Sequence, residues 1–450
     1  MRGRGDIQGN ILRGYASHLH AAYLLTRIGD GHIKKARALL TQLIDEDRIA
    51  TEKDWVGHPA TRLNVAFTHA GLTRLGIGPG AFDAFPDFCE GMSTRARTHL
   101  GDLGANDPHH WDAVLREEID IVFTVYGRSA DERTRGAATL TRELAGAKVT
   151  VIHHQCADML EGGREHFGFS DGFSQPALAG VSEDRRSRRG EGVQRPWLRL
   201  GGDEWRDVRL GEFVLGHKDE DGVVPGGRDP LLVNGTFMVW RKLEQHVEAF
   251  NSWIRAHAGD GEGAEETLKA KILGRWPNGD SLVRRPAYTD ESGDGRQHTV
   301  EINRFTYRDD RDGVRCPLGA HVRRSNPRDA LGFRTERTRR NRIIRRGLPY
   351  VDRDETRGLI FVCFNASITR QFEQIQGNWL VSGDTFGVGT ERDFLTAGLD
   401  QGQSSLRMTL QGDRDQPPVF LERREPFVTV RGGHYLFVPG LKALRRIARG

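Results

Sequence analysis

Several things are scarce or missing in this chain of 450 residues. Cysteine occurs four times, at Cys89, Cys156, Cys316 and Cys363, with no CxxC pair. That spacing excludes a zinc ribbon and a thioredoxin-like centre, and free thiols of a reducing compartment are the expectation. No run approaches the ~18 apolar residues a membrane helix needs, so no membrane partner is expected. The opening "MRGRGDIQGNILRGYASHLHAAYLL" is broken by His, Gly and Asn, which removes the apolar core of a secretory signal. A cytoplasmic location is therefore expected. No strand-like segment is followed by a glycine-rich phosphate loop; "GEGVQ" and "GDGEG" match neither dinucleotide nor P-loop spacing. An excess of one charge is missing too: 66 Lys and Arg against 62 Asp and Glu leave +4, which does not demand a nucleic-acid partner.

What is present reads as two alternating α+β units. Apolar "HLHAAYLLTRI" (18–28) has the composition of a buried strand. In "HIKKARALLTQLI" (32–44), Ile33, Ala36, Leu39, Leu40, Leu43 and Ile44 recur at helical spacing. "RLNVAFTH" alternates as a half-buried strand. After a largely helical section to about Glu117 come a strand (119–127), a helix (131–144) and a strand (147–155). The later "LLVNGTFMVWRKL", "EQHVEAFNSWIRAH", "RGLIFVCFN", "ITRQFEQIQGNWL" and "GHYLFVPGL" repeat strand and helix. This order favours α+β ferredoxin-like units over a doubly wound sheet. The charged stretch "SEDRRSRRGEGVQRP" (182–196) reads as a linker. It divides the chain into 1–190, which ends with the loop around Asp171, and 191–450.

Four stretches carry chemistry. In "REHFGFSDGFSQP", Asp171 stands between Gly168 and Gly172 with Phe167, Phe169 and Phe173 around it. A turn accounts for Ser-Asp-Gly; a carboxylate at the mouth of an apolar pocket also accounts for the phenylalanines. In "CPLGAHVRRSNPR", small neighbours surround His321, which suits either a backbone-bonded core histidine or an imidazole that a flat ligand approaches. In "RNRIIRRGLPYVD", Arg345 follows two isoleucines, so it reads either as part of a solvated basic face or as an arginine turned inward. In "RGLIFVCF", Leu359 and Phe361 share one face of a strand, which plain core packing also explains.

Taken together and in this order, the four stretches resemble the dye-decolourising peroxidases, a haem-peroxidase family. "DIQGNIL", "NVAFTHAGLTRLGI", "GEFVLGHKDEDG", "LGRWPNGDSLV" and "RGLIFVCFNASITRQFEQIQGNW" extend the likeness nearly end to end, and the length is that of the larger, class C-type members. The resemblance implies two ferredoxin-like domains of the dimeric α+β barrel type, with haem b mainly in the second. The family's Gly-x-x-Asp-Gly signature falls on Gly168, Asp171 and Gly172, its axial histidine on His321, its arginine on Arg345 and its apolar pair on Leu359 and Phe361. Arg323 becomes a candidate haem propionate contact. Hydrogen peroxide is the implied oxidant. Bulky organic donors such as dyes and phenols are the implied reductants, reached through Trp379, Trp276 or Tyr350. A haem carrier, sensor or iron-extraction protein needs only His321, so Asp171 together with Arg345 favours turnover. An RNA-binding reading of the arginines between Arg323 and Arg346 lacks the aromatic strand signature that stacks bases. The sequence leaves monomer or homo-oligomer undetermined.

Overall fold

The computed structural model describes residues 4–53, 57, 59–172, 174–180, 190–191, 193–194, 205–287, 302–331, 338–399, 402–412 and 415–450. Its first unit contains β1 (His20–Ile28), α1 (Ile33–Asp45), β2 (Thr61–Phe67), β3 (Ile121–Gly127), α2 (Ala130–Gly146) and β4 (Val149–Asp158). The second contains β5 (Thr236–Gln245), α3 (Val247–His257), α4 (Ala264–Leu273), α5 (His321–Ser325), β6 (Ile344–Arg345), β7 (Leu348–Val351) and β8 (Arg357–Asn365). It continues with a wide-turned helix α6 (Thr369–Leu380), β9 (Leu406–Leu410), β10 (Val419–Arg423), β11 (Val428–Val438) and α7 (Leu441–Arg449). In α6 the Glu373 N–H reaches back five residues to the Ile368 carbonyl, 2.9 Å, the spacing of a π-helix.

Nine strands make one antiparallel sheet in the order β6-β8-β5-β11-β2-β3-β1-β4, with β7 also on β8. Each half has its last strand beside its first: β4 pairs with β1, and β11 with β5. That is the arrangement expected of ferredoxin-like units. The halves join where Phe437 of β11 meets Phe67 of β2. At the far ends Gln155 of β4 donates to Asp352, just past β7, at 3.0 Å, so the sheet curls toward a barrel.

Strand alternation sorts the core into two layers. Ala21, Tyr23 and Leu25 point inward with Met238, Trp240, Ile360, Val362 and Leu436. Ala22 and Leu24 point outward, with Val65 and Phe123, under Leu39, Leu40, Leu43, Leu140 and Leu144 of the helices. For this reason β2 is buried on both faces from Leu63 to Phe67 rather than half-buried as its alternation suggests. The linker between the halves lies largely outside the described residues.

Candidate functional site

A cleft with about 1870 Å³ of empty space, its open mouth included, lies on the outer face of β5, β8 and β11. Leu243, Leu359, Phe361, Val428 and Val430 form its sheet wall; Phe372, Ile375, Trp379 and Leu380 of α6 contribute the helical wall. Strand β8 records the asymmetry directly: Arg357, Leu359 and Phe361 are partly exposed, while Gly358, Ile360 and Val362 are buried. Leu359 and Phe361 face the cleft, and Ile360 and Val362 the barrel interior.

Asp171, Arg345 and His321 all line this cleft. The Asp171 loop is tied into a knot by Glu165. Its carboxylate accepts the N–H groups of Phe167 (3.0 Å) and Phe169 (2.9 Å), and Gln245 donates to it from β5. Burial raises the Glu165 pKa, with these donors working against it. Gly168 and Gly172 take φ of +94° and +83°, a left-handed conformation that glycine adopts without strain. An added β-carbon at either would meet no atom within 4 Å among the described residues, so among these the dihedral is what requires glycine. Backbone bonds from Ser170 N–H to the Pro277 carbonyl and from Asp171 N–H to the Gly163 carbonyl, 2.9 and 3.0 Å, fix the loop. Phe167 and Phe169 are buried; Phe173 lies outside the described residues.

Arg345 pairs with Cys363 across β6 and β8, which puts its side chain on the same face as Leu359 and Phe361. Its Nη1 lies 3.2 Å from Asp171 Oδ1, with both side chains partly open to the cleft. Gln175, four residues past Asp171, clasps the Arg345 backbone: its Oε1 accepts the N–H and its Nε2 donates to the carbonyl, each at 3.0 Å. The pair is thus set by main-chain geometry from both parts of the chain.

His321 opens α5, and its Nδ1 donates to Asp393 Oδ2 at 3.0 Å. Asp393 is fully buried. Burial opposes its ionisation, but the imidazole, Arg324 and Thr396 outweigh that and hold its carboxyl down to about 2. Thr396 donates through both N–H and hydroxyl at 2.7 Å. A carboxylate on Nδ1 fixes the tautomer, directs the Nε2 lone pair away from itself and makes the ring more basic, as metal-bound histidines require. These features fit haem: an anchored imidazole, flat apolar walls and an acid–arginine pair in one cleft.

Arg323 corrects an expectation. It does not line the cleft; it is 1% exposed, donates to Asp310 and to the carbonyls of Cys316 and Arg311, and stacks on Tyr307. A propionate contact is therefore excluded in this geometry. Its neighbour Arg324 is buried as well, on the carbonyls of Trp379, Ser382 and Glu391. Neither arginine is therefore available to a solvated RNA-binding face. Trp379, Trp276 and Tyr350 are also buried, so none presents itself at the surface. Glu165, Gln175, Gln245 and Asp393 went unassigned from sequence. Gln175 had a signal, since it lies within the quoted loop, whereas nothing in "ERDFLT" marks Asp393.

Comparison with known proteins agrees with this geometry. Residues 6–159 match the family profile described as the DyP dimeric alpha+beta barrel domain, and 215–387 match the Dyp-type peroxidase C-terminal profile. A dye-decolourising peroxidase of Mycetinis scorodonius is 29% identical over 98% of this chain and 87% of its own length. A multifunctional dye peroxidase of an Amycolatopsis species is 28% identical over 98% and 95%. Among solved structures, a variant of the dye-decolourising peroxidase from Pleurotus ostreatus superposes with a TM-score of 0.81 at 24% identity over 99% of both chains, a likeness of fold. With fold, site and sequence in agreement, the chain belongs to the dye-decolourising peroxidase family of haem enzymes, which use hydrogen peroxide to oxidise organic donors.

Proposed function

We propose that the chain binds haem b through His321 Nε2, and that Asp171 and Arg345 together activate hydrogen peroxide for the oxidation of dyes and phenols. The single observation that carries this is the 3.2 Å Asp171–Arg345 pair in the same cleft as the Asp393-anchored imidazole. A carrier or sensor needs the imidazole alone. The absence of any CxxC pair from the sequence supports a haem held without thioether bonds. Haem, when bound, supplies the redox chemistry that splits the O–O bond.

The chain's own residues supply the rest. Asp171 Oδ1 or Oδ2 accepts the proton of the near peroxide oxygen and returns it to the far one, which then leaves as water. Arg345 keeps a fixed cation beside that proton transfer, favouring the negative oxygen that develops. Phe167, Phe169, Leu359 and Phe361 keep bulk water from competing for the proton. Asp393 holds His321 in one tautomer and one orientation. A cytoplasmic location belongs to the same proposal, supported by four cysteines that are all free.

The test is a visible spectrum of the purified protein before and after one equivalent of hydrogen peroxide. A Soret band that shifts on mixing is expected. A featureless spectrum after haem reconstitution overturns the assignment.

A further inference from the structure

The stretch "DIQGNILRG" (6–14) does not line the haem cleft, and neither does Arg346, the neighbour of Arg345. Strand alternation turns Arg345 toward the cleft and Arg346 away from it. The Arg346 guanidinium closes on the helical turn Gly9–Leu12. Its Nε donates to the Asn10 carbonyl, and its Nη2 to the carbonyls of Ile11 and Leu12, each at 3.1 Å. Its Nη1 donates back to the Arg345 carbonyl at 3.0 Å. A helical turn ends on carbonyls without partners of their own, and an arginine near that end can bond them.

The turn itself is fixed where the two halves of the sheet join. Gln8 is fully buried. Its Nε2 donates to the Val65 carbonyl of β2 at 2.9 Å and to the Pro439 carbonyl, just past β11, at 3.1 Å. Its Oε1 accepts the Val65 N–H at 3.0 Å. The Gly9 N–H donates to the Ala50 carbonyl at 2.9 Å. Glu52 accepts the N–H groups of Leu12 and Arg13 at 3.1 and 2.7 Å. Gly14 takes φ of +56°, and a β-carbon there would stand 2.9 Å from Arg346 Cζ and Nε. The glycine thus leaves room for the guanidinium.

Arg345, by contrast, stands on a slight footing. Strand β6 holds two residues, Ile344 and Arg345, and lies at the edge of the sheet, paired with β8. A strand this short does not fix a side chain by itself. The Gln175 amide grips both Arg345 backbone groups, and Arg346 is the second donor to the Arg345 carbonyl. We propose that the N-terminal turn is a positioning element of the peroxide step: through Arg346 it fixes where Arg345 stands beside Asp171. This rests on the peroxidase reading and on the role given there to Arg345. Arg346 touches no reacting atom, so it is a positioning residue. The seam between the halves and the cation of the cleft are coupled in this way, by one unbroken series of bonds from Val65 and Pro439 through Gln8, the turn and Arg346 to Arg345.

The test uses haem-loaded full-length protein and Arg346→Leu, alone and combined with Arg345→Leu. Alone, Arg346→Leu should slow the peroxide step in stopped-flow mixing by about tenfold, with haem occupancy and the axial-ligand spectrum unchanged. It should weaken fluoride binding to the ferric protein, read without turnover, by a similar factor, because a fixed cation favours an anion bound on its side. Added to Arg345→Leu it should cost less than about twofold in either measurement, since it acts only through that side chain. Arg346→Lys keeps the charge but not the fork of donors and should lie in between. Gly14→Ala pushes a methyl group against the guanidinium and should slow the peroxide step with Arg346 still present, which keeps the test sound if Arg346→Leu folds poorly. Wild-type rates and fluoride affinities in Arg346→Leu and Gly14→Ala overturn the proposal. So does a loss of undiminished size on top of Arg345→Leu, the mark of a general loosening of the fold. Wild type that consumes no hydrogen peroxide would instead overturn the peroxidase reading, and the fluoride measurement would still read the coupling.

Discussion

The two halves of the sheet are built alike and covered differently. On the first half, α1 and α2 lay leucines directly on the outward face, so Leu24, Val65 and Phe123 are sealed. On the second half, the equivalent face carries Leu359 and Phe361, yet these stay partly exposed because α5 and α6 stand away from the strands. The same alternating strand chemistry therefore gives a packed core on one side and a ligand cleft on the other. What differs is the roof. Wide-turned α6 and the short α5 are tied to each other by Arg324 on the backbone carbonyls of Trp379, Ser382 and Glu391, where the first half packs leucines on the sheet.

The comparison can be broken most severely at His321. His321→Ala removes the one anchored imidazole of the cleft, and we expect haem retention to fall from near-complete to a small fraction while far-ultraviolet circular dichroism is unchanged. Full occupancy with an unaltered axial-ligand spectrum would contradict the assignment. Next comes Arg345→Leu, which takes the fixed cation from the open face and should slow the peroxide step by about 10²–10³. Asp171→Asn removes the proton acceptor and should slow it by at least about 10². The double variant should lose less than the product of the singles, because both act on one step. Stopped-flow mixing with hydrogen peroxide reads all three; wild-type rates in both singles would remove these roles.

A sharper form of the comparison pits Leu24→Ala against Leu359→Ala in haem-free protein. Leu24 lies under packed helices, so its loss should cost about 2–5 kcal/mol by denaturant unfolding. Leu359 borders empty space and should cost about 1 kcal/mol or less. Equal losses would mean that the cleft is collapsed in solution without haem. The smallest expected effect is acid sensitivity at Asp393. Its folded carboxyl titrates at about 2, below the unfolded range. Its stabilisation is therefore complete above about pH 4, and fades as pH falls through 2. Asp393→Asn should flatten that acid limb in a pH series of unfolding midpoints.

Much of this was legible in the residues. The strand containing Leu359 and Phe361 and the helix over Ile33–Asp45 follow from period alone, since a two-residue and a 3.6-residue repeat leave different apolar faces. The Asp171 loop was legible because glycines and phenylalanines around one acid are unusual company. Asp393 was not, because an acid that binds across 72 residues leaves no local pattern. Arg323 misled for a related reason. Its place two residues after His321 suggested a shared ligand, but residues two apart on a helix do not share a face, and its guanidinium turned to Asp310 instead. The wide turns of α6 were equally invisible: "ITRQFEQIQGNWL" has ordinary helical composition, although its Gly377 does mark where the helix passes the His99 carbonyl too closely for a side chain.

The strand at the centre of the sheet, β11, also comes after every other described strand in the chain. It lies against β5 along most of its length and touches β2 at Phe67, and its Val428 and Val430 line the haem cleft. During synthesis, at roughly 5–20 residues per second, the first half has its four strands long before that seam exists. Until residue 438 is free of the ribosome, the two halves have no shared edge and the cleft lacks part of its floor. A chain that stopped short of Val428 would thus hold two partial sheets and a cleft without part of its floor.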